Sequence, residues 1–298
     1  YEYTSEAVDA SGHNLYNPDS YWVNNAIDQR IGYGSMTSYA TEGFFGRLNY
    51  NYKDTYIGSI SYRRDASSRF HPDNRWGNFF SIGTRWNMKR EAFLEDVDWV
   101  NTLSLRASFG EVGNNMGIGL YAYQALYGIT TNGGDAALLK TQLAAKDIKW
   151  ETTQNLDIAV ETRLFDRVNL SVGYFDKRSK DLLFDVKLPL SAGSNPWGDY
   201  MNMTQLKNIG TISNRGLEIA ADVDIIKTND WTWNMGIDAT LLDSEIIKLP
   251  GGEDILNGSQ KYSEGHAVRE WFTYHFEGVD QMTGRSLYTI DPEKVESA

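Results

Sequence analysis

Hydrophobic and polar side chains alternate one for one along most of this chain, and extended helical periodicity is scarce. In Phe44–Tyr52, Gly46, Leu48, Tyr50 and Tyr52 share one face, while Arg47, Asn49 and Asn51 share the other. Lys53-Asp54 breaks the run. Tyr56, Gly58, Ile60 and Tyr62 then oppose Ser59, Ser61 and Arg63, which predicts an antiparallel hairpin. The same rhythm returns with Phe80, Ile82, Thr84 and Trp86, and with Leu103, Leu105, Ala107 and Phe109. Further on it is carried by Leu156, Ile158 and Val160, and by Val168, Leu170, Val172 and Tyr174. It ends with Leu217, Ile219, Ala221, Val223 and Ile225, and with Trp231, Trp233, Met235, Ile237, Ala239 and Leu241. Eight strands between about 44 and 248 are clear, with weaker candidates before Phe44 and after Val268.

The connections alternate in length. Lys53-Asp54, Phe165–Arg167 and Lys227–Asp230 are short, and Lys89–Asp98 is longer, with Glu91–Val97 reading as a short helix. Between them come long loops at 65–75, 111–149 and 181–211, and the stretch after Leu249. Short turns at one end and long loops at the other is the layout of an outer-membrane barrel. Alternation alone does not separate a barrel wall from a soluble sandwich. Three features favour the wall. The apolar faces end in rings: Tyr50, Tyr52, Tyr56, Tyr62, Trp86, Phe109, Tyr174, Trp231 and Trp233. The polar faces carry Ser, Asn, Gly and charges with almost no Lys. The strands are long and consecutive, without a Greek-key signal. An open edge in lipid costs several kcal/mol per unsatisfied group, so the sheet must close. Gly-Asn-rich inner faces and long polar loops fit a wide barrel, whose other strands lie outside this sequence.

Composition narrows the chemistry. Forty acidic against 28 basic side chains give a net charge of −12, which argues against a nucleic-acid partner. There is no cysteine, so disulfides, thiolate metal sites and thiol nucleophiles are excluded. The four histidines, His13, His71, His266 and His275, have no metal-ligand spacing, and no cofactor is expected. The mean hydropathy of −0.48 and the lack of a long apolar run exclude transmembrane helices but not a β-barrel. Gly117-x-Gly119 is a poor nucleotide fingerprint and reads as a loop. Glu218 and Asp222 lie on one strand face, without the opposed partner that a glycosidase needs. Asp280–Arg285 reads as a turn, since one Asp supplies too few oxygens for calcium. The triplets Asn202-Met203-Thr204 and Asn257-Gly258-Ser259 fit a glycosylation pattern that often arises by chance.

Several stretches resemble a known family. Phe44–Met88, with "RRDASSRF" (Arg63–Phe70) and "RWGNFFSIG" (Arg75–Gly83), is similar to the barrel of SusC/RagA-type TonB-dependent outer-membrane transporters. "LSLRASFGEVGNN" (Leu103–Asn115), Lys149–Phe184, "NIGTISNRGLEIAADV" (Asn208–Val223) and Glu264–Tyr288 resemble later parts of that barrel, in family order. "HAVREWFTY" (His266–Tyr274) departs from the small, Pro- and Gly-containing stretch usual there. The resemblance implies an all-β, antiparallel transmembrane barrel of about 22 strands with a plug. This chain, which starts at Tyr1 rather than Met, would be an interior portion of it. An intact protein far heavier than 33.7 kDa is therefore expected.

The function implied is TonB-coupled import of glycans or peptides, with no covalent chemistry. The implied partners are a SusD-like surface lipoprotein, TonB through a segment outside this sequence, and the lipid bilayer. A structural or adhesive barrel and a soluble carbohydrate-binding module are the alternatives. The residues expected to face the lumen are Arg47, Arg63, Arg85 and Arg106 from the first strands. Asp157, Glu161, Glu218, Asp222, Asp224 and Asp238 would face it from the later ones. This asymmetry reads either as a polarised cavity for plug or cargo, or as the ordinary charge of a wet lumen screened within about 8–10 Å. The loop aromatics Tyr121, Tyr123, Tyr127, Trp197 and Tyr200 are candidates for contact with cargo or lid, or for packing of the loops on themselves.

Overall fold

In the computed structural model, the structure describes residues 2–15, 26–132, 135–189, 191 and 204–289. Its centre is one nine-stranded antiparallel sheet, ordered β1-β2-β3-β4-β5-β8-β9-β10-β11. The strands are β1 (Glu2–Leu15), β2 (Ala26–Tyr52), β3 (Tyr56–Ser67), β4 (Trp76–Asn87) and β5 (Val100–Asn114), followed by β8 (Glu151–Leu164), β9 (Val168–Lys187), β10 (Thr204–Lys227) and β11 (Thr232–Lys248). The hairpin β6 (Leu126–Asn132) and β7 (Asp135–Gln142) pairs only with itself, so β5 runs directly beside β8. Neighbours in sequence are neighbours in space, the plain up-and-down order of a barrel wall. All eight predicted strands are present, and β1 adds a ninth ahead of them.

The ladders carry the alternation across the whole sheet. One register row reads Tyr52, Tyr56, Trp86, Leu105, Val160, Val172, Ile219 and Ala239. The apolar side chains of this face meet no second protein layer: Leu48 is 68 % exposed, Ile60 52 %, Val160 40 % and Ile237 64 %. An apolar face left bare over eight strands belongs against hydrocarbon. A register shift at Asp224/Ile226 puts Ile226 opposite Trp233, so both Ile225 and Ile226 are exposed and the strict alternation read through Ile225 ends there.

The strands also run further than the alternation. β3 continues to Ser67, β5 to Asn114 and β9 to Lys187, into segments the pattern assigns to loops. Period-2 hydrophobicity records contact with lipid. A strand that rises beyond the hydrocarbon keeps its backbone hydrogen bonds with polar residues on both faces.

Short connections lie at one end. Lys53 and Asp54 both have φ of 51°, and Phe165 and Asp166 both 54°, a left-handed pair that turns the chain tightly within three-residue hairpin loops, since Tyr52 pairs with Tyr56 and Leu164 with Val168. The β4–β5 connection contains a helix, α1 (Ala92–Glu95), inside the stretch predicted to be helical. Beyond β11 come a small sheet of β12 (Ile255–Asn257), β13 (Gln260–Tyr262) and β14 (Glu270–Trp271), and a hairpin of β15 (Phe276–Val279) and β16 (Ser286–Tyr288). Asp280 closes a turn by accepting from the Met282 amide at 2.8 Å and the Thr283 hydroxyl at 2.8 Å, as read from the sequence.

Candidate functional site

The face opposite the apolar one is built from Ser, Asn, Gly and charge. Arg85 on β4 and Arg106 on β5 are paired across the ladder, and Ala159 and Gly173 follow in the same row. Those two small residues leave room above them for long side chains. Arg85 Nη2 lies 2.9 Å from Glu161 Oε2, while Arg106 reaches Asp157 at 3.3 Å and Glu161 at 3.5 Å. Arg63 is held by Asp65 at 3.0 Å, and Arg47 donates to Asn49 at 3.1 Å. The expected division into a basic and an acidic half therefore fails at β5–β8. Departure of β6–β7 from the sheet places the first acidic strand directly against the last basic one, and the charges cancel there. The asymmetry survives further along. Among the described residues Glu218, Asp222 and Asp238 make no ion pair, and Asp222 lies over Gly236, where a Cβ would come within 2.7 Å of its Oδ1. Asp224 pairs with Lys227 at 3.6 Å.

The long loops hold the buried core. Phe70, Ile118, Ala145 and Ile148 form it, with Tyr123, Trp150, Leu183 and Leu206 packed around. It joins segments far apart in sequence. Trp150 donates to the Arg75 carbonyl at 2.9 Å, and its ring lies 5.2 Å from Phe70 and 5.6 Å from Phe79. The β4–β5 ladder stops at Ser81 opposite Gly110, although β5–β8 pairing continues to Asn114 opposite Glu151. Phe79 fills that opening: a Cβ on Gly113 would meet its ring at 2.0 Å, so only glycine fits.

Arg69 stacks on Tyr39 at 4.8 Å and donates to the carbonyls of Asn115 and Ile118 at 3.0 and 2.7 Å. Asn115 in turn donates to Ser67 at 2.9 Å and Tyr39 at 3.1 Å. Asn208 exchanges two 2.8 Å hydrogen bonds with the Lys149 backbone and donates to the Asp181 carbonyl at 2.7 Å. A cleft of about 270 Å³ opens beside this core, between Gly117, Gly119, Gln142, Asp185, Thr204 and Leu206.

Of the candidate loop aromatics, Tyr121 accepts from the Ser38 amide at 2.9 Å, which holds its phenol below the ordinary value. Tyr123 packs edge-on to His71 at 5.9 Å and accepts from Gln124. Both are engaged within the protein. Tyr127, on β6, is 57 % exposed. Trp197 and Tyr200 lie outside the described residues. Sequence reasoning missed Phe79, Arg69, Asn115, Trp150 and Asn208. Their partners are about 27 or more positions away or lie under a ladder gap, and no periodicity signals either.

Each end of β3–β4 carries a stacked ring pair on the outward face. At the short-turn end Tyr56 and Trp86 stack at 6.4 Å and both donate to Glu91 Oε1, at 2.5 and 3.0 Å. The hydrogen bond from Tyr56 and then that from Trp86 hold the Glu91 carboxyl below its ordinary range. At the long-loop end Phe44 and Trp76 stack at 6.2 Å, with Arg64 4.9 Å above the Trp76 ring.

A bare apolar belt, a charged inner face, short turns below and a folded loop platform above define a wall of an outer-membrane β-barrel. The family described as "TonB dependent receptor-like, beta-barrel" matches residues 1–289, and the chain belongs to it. It is 33 % identical over 250 residues to TonB-dependent receptor SusC of Bacteroides thetaiotaomicron, covering 78 % of this chain and 24 % of that protein. It is 32 % identical over 252 residues to TonB-dependent receptor P3 of Formosa agariphila, covering 80 % of this chain and 24 % of that one. The chain thus matches about a quarter of the length of these relatives. The RagAB peptide importer in its closed-closed state superposes with a TM-score of 0.79 at 23 % identity, over 98 % of this chain and 32 % of that one. This likeness extends the fold match to nearly the whole chain. The protein is an outer-membrane protein.

Proposed function

We propose that the protein containing this wall imports large nutrients, glycans or peptides, with energy from TonB, as the SusC-like barrel of a complex with a SusD-like surface lipoprotein. One observation carries the reading. A lipid-compatible outside and a charged inside are joined, at one end only, to a platform of interlocked loops, and the relatives of this chain include SusC. In this reading Arg47, Arg63, Arg85, Arg106, Asp157, Glu161, Glu218, Asp222 and Asp238 line the lumen. The unpaired acids of β10 and β11 supply its remaining negative field, and the balanced cluster around Arg106 adds none. Among the described loop aromatics Tyr127 is the ring available to cargo or lid, because Tyr121 and Tyr123 are spent on loop packing, and Trp197 and Tyr200 stay candidates on their sequence alone. A strain lacking TonB should lose uptake and growth on the cargo while the protein stays in the membrane. Uptake that continues without TonB would refute import of this kind and favour the adhesive reading.

A further inference from the structure

We propose that Arg64, with the Trp76 and Phe44 rings beside it, is a binding site for the phosphorylated sugar headgroup of a glycolipid in the outer leaflet. The β2–β3 ladder is unbroken from Thr41/Ser67 to Tyr52/Tyr56, and the β3–β4 ladder from Ala66/Trp76 to Tyr56/Trp86. Arg64 therefore shares the outward face with Ile60 and Tyr62, one row beyond Tyr62 toward the long loops. Long loops mark the outer surface of such barrels, so Arg64 stands where hydrocarbon gives way to the headgroups of the outer leaflet.

Arg64 differs from the other outward-facing arginines of the described strands. Arg178 is gripped by Asp176, with contacts of 3.1 and 2.8 Å, and Arg215 by Asp243, at 2.9 and 2.8 Å. The Arg64 guanidinium has no carboxylate and no hydrogen-bond acceptor among the described residues. Glu42 lies on the same face, two positions along β2 from Phe44, without an ion pair to it. Across the ladder Asn78 is occupied, accepting from Tyr62 at 2.8 Å. What fixes Arg64 is the Trp76 ring, which orients the plane of the cation and leaves all of its N–H donors free. A planar fork with free edges matches phosphate, and stacking has already reduced its freedom. Phe44, 59 % exposed, and Tyr62, 50 % exposed, offer flat apolar surface on which a sugar ring can lie.

The other end of the same two strands supplies the contrast. There the corresponding stack, Tyr56 with Trp86, is completed by the carboxylate of Glu91. The protein thus places an anion at the inner boundary and an uncommitted cation at the outer one. That polarity suits a membrane whose phosphorylated glycolipid is confined to its outer leaflet.

The test is to purify the full-length protein in mild detergent and measure glycolipid retention by native mass spectrometry. Three probes are used: a phosphorylated diglucosamine lipid, the same lipid with its phosphates removed, and inorganic phosphate alone. The wild type should retain the phosphorylated lipid about tenfold better than R64Q and better than its phosphate-free form. R64K, which keeps the charge but loses the fork, should fall between. It serves as the reference if R64Q does not give the heat-modifiable migration of a folded barrel. Equal retention of the phosphorylated lipid by the wild type and the folded variant would overturn the proposal. So would equal retention of both lipids by the wild type, or displacement of the lipid by inorganic phosphate.

Discussion

The two ends of the sheet are built on different terms. At the short-turn end the described contacts close a turn on itself or join it to its neighbour in the sheet: Thr55 donates to the Tyr52 carbonyl at 3.0 Å, Lys89 closes its own turn on the carbonyls of Leu94, Glu95 and Val97, and Phe165 donates to the Trp99 carbonyl at 2.8 Å. At the long-loop end the contacts bridge distant segments, Ser67 with Asn115, Arg75 with Trp150 and Lys149 with Asn208. Among the described residues, a cluster of apolar side chains is buried only there. Between the two ends the sheet has no interior, because lipid completes it. The lesson is that three solvents act on one chain, and each leaves a different trace in the sequence.

The largest effect that would break this contrast is expected at Phe70, which is fully buried. Phe70→Ala should cost about 3–5 kcal/mol locally by leaving a cavity. Loops 68–75 and 115–150 should become open to protease while the strands stay protected, as judged by mass mapping of the digest. Loss of strand protection as well would mean that the loop platform is part of one cooperative unit with the wall.

Next in size is a charge on the bare face. Ile158→Arg, in the middle of the β8 apolar row, should cost about 2–4 kcal/mol in reversible folding into bilayers followed by urea titration. Ser171→Arg, on the polar face of β9, should cost far less. Similar costs for both would contradict the division between lipid and lumen.

A smaller effect is expected from Arg106→Gln. The Asp157 and Glu161 side chains it pairs with are partly exposed, so no more than about 1 kcal/mol should be lost in the same titration. The smallest concerns Glu91. Its folded carboxyl is held below the ordinary range, so its stabilisation is present above the unfolded pKa and is lost as pH falls through the folded pKa. Acidification should release Trp86, read as a change in its fluorescence, and Glu91→Gln should remove that pH response.

How much was legible follows from the same contrast. Lipid imposes period 2, so Leu48, Ile60, Ile82 and Val160 declared the wall and its facing directly. The short turns were legible at Lys53-Asp54 and Phe165–Arg167 because the alternation halts for so few residues. The charge cluster was half legible: that Arg85, Arg106, Asp157 and Glu161 share the face opposite the apolar one followed from alternation. Their mutual contact did not, because it depends on β5 lying beside β8 after a 36-residue excursion from 115 to 150. The loop platform was least legible, since Arg69 reaching the carbonyls near Ile118 is a matter of three-dimensional closure with no local signature.

The chain contains no cysteine, which makes the central claim open to a direct measurement. Single cysteines placed in turn at 57 to 63 on β3, in a full-length protein freed of any others and reconstituted in bilayers, can carry nitroxide labels. Collision rates with oxygen should peak at 58, 60 and 62, and rates with a water-soluble nickel chelate at 57, 59, 61 and 63. Labels at 58, 60 and 62 shielded from both reagents would mean that protein covers that face, and would contradict the account of the wall.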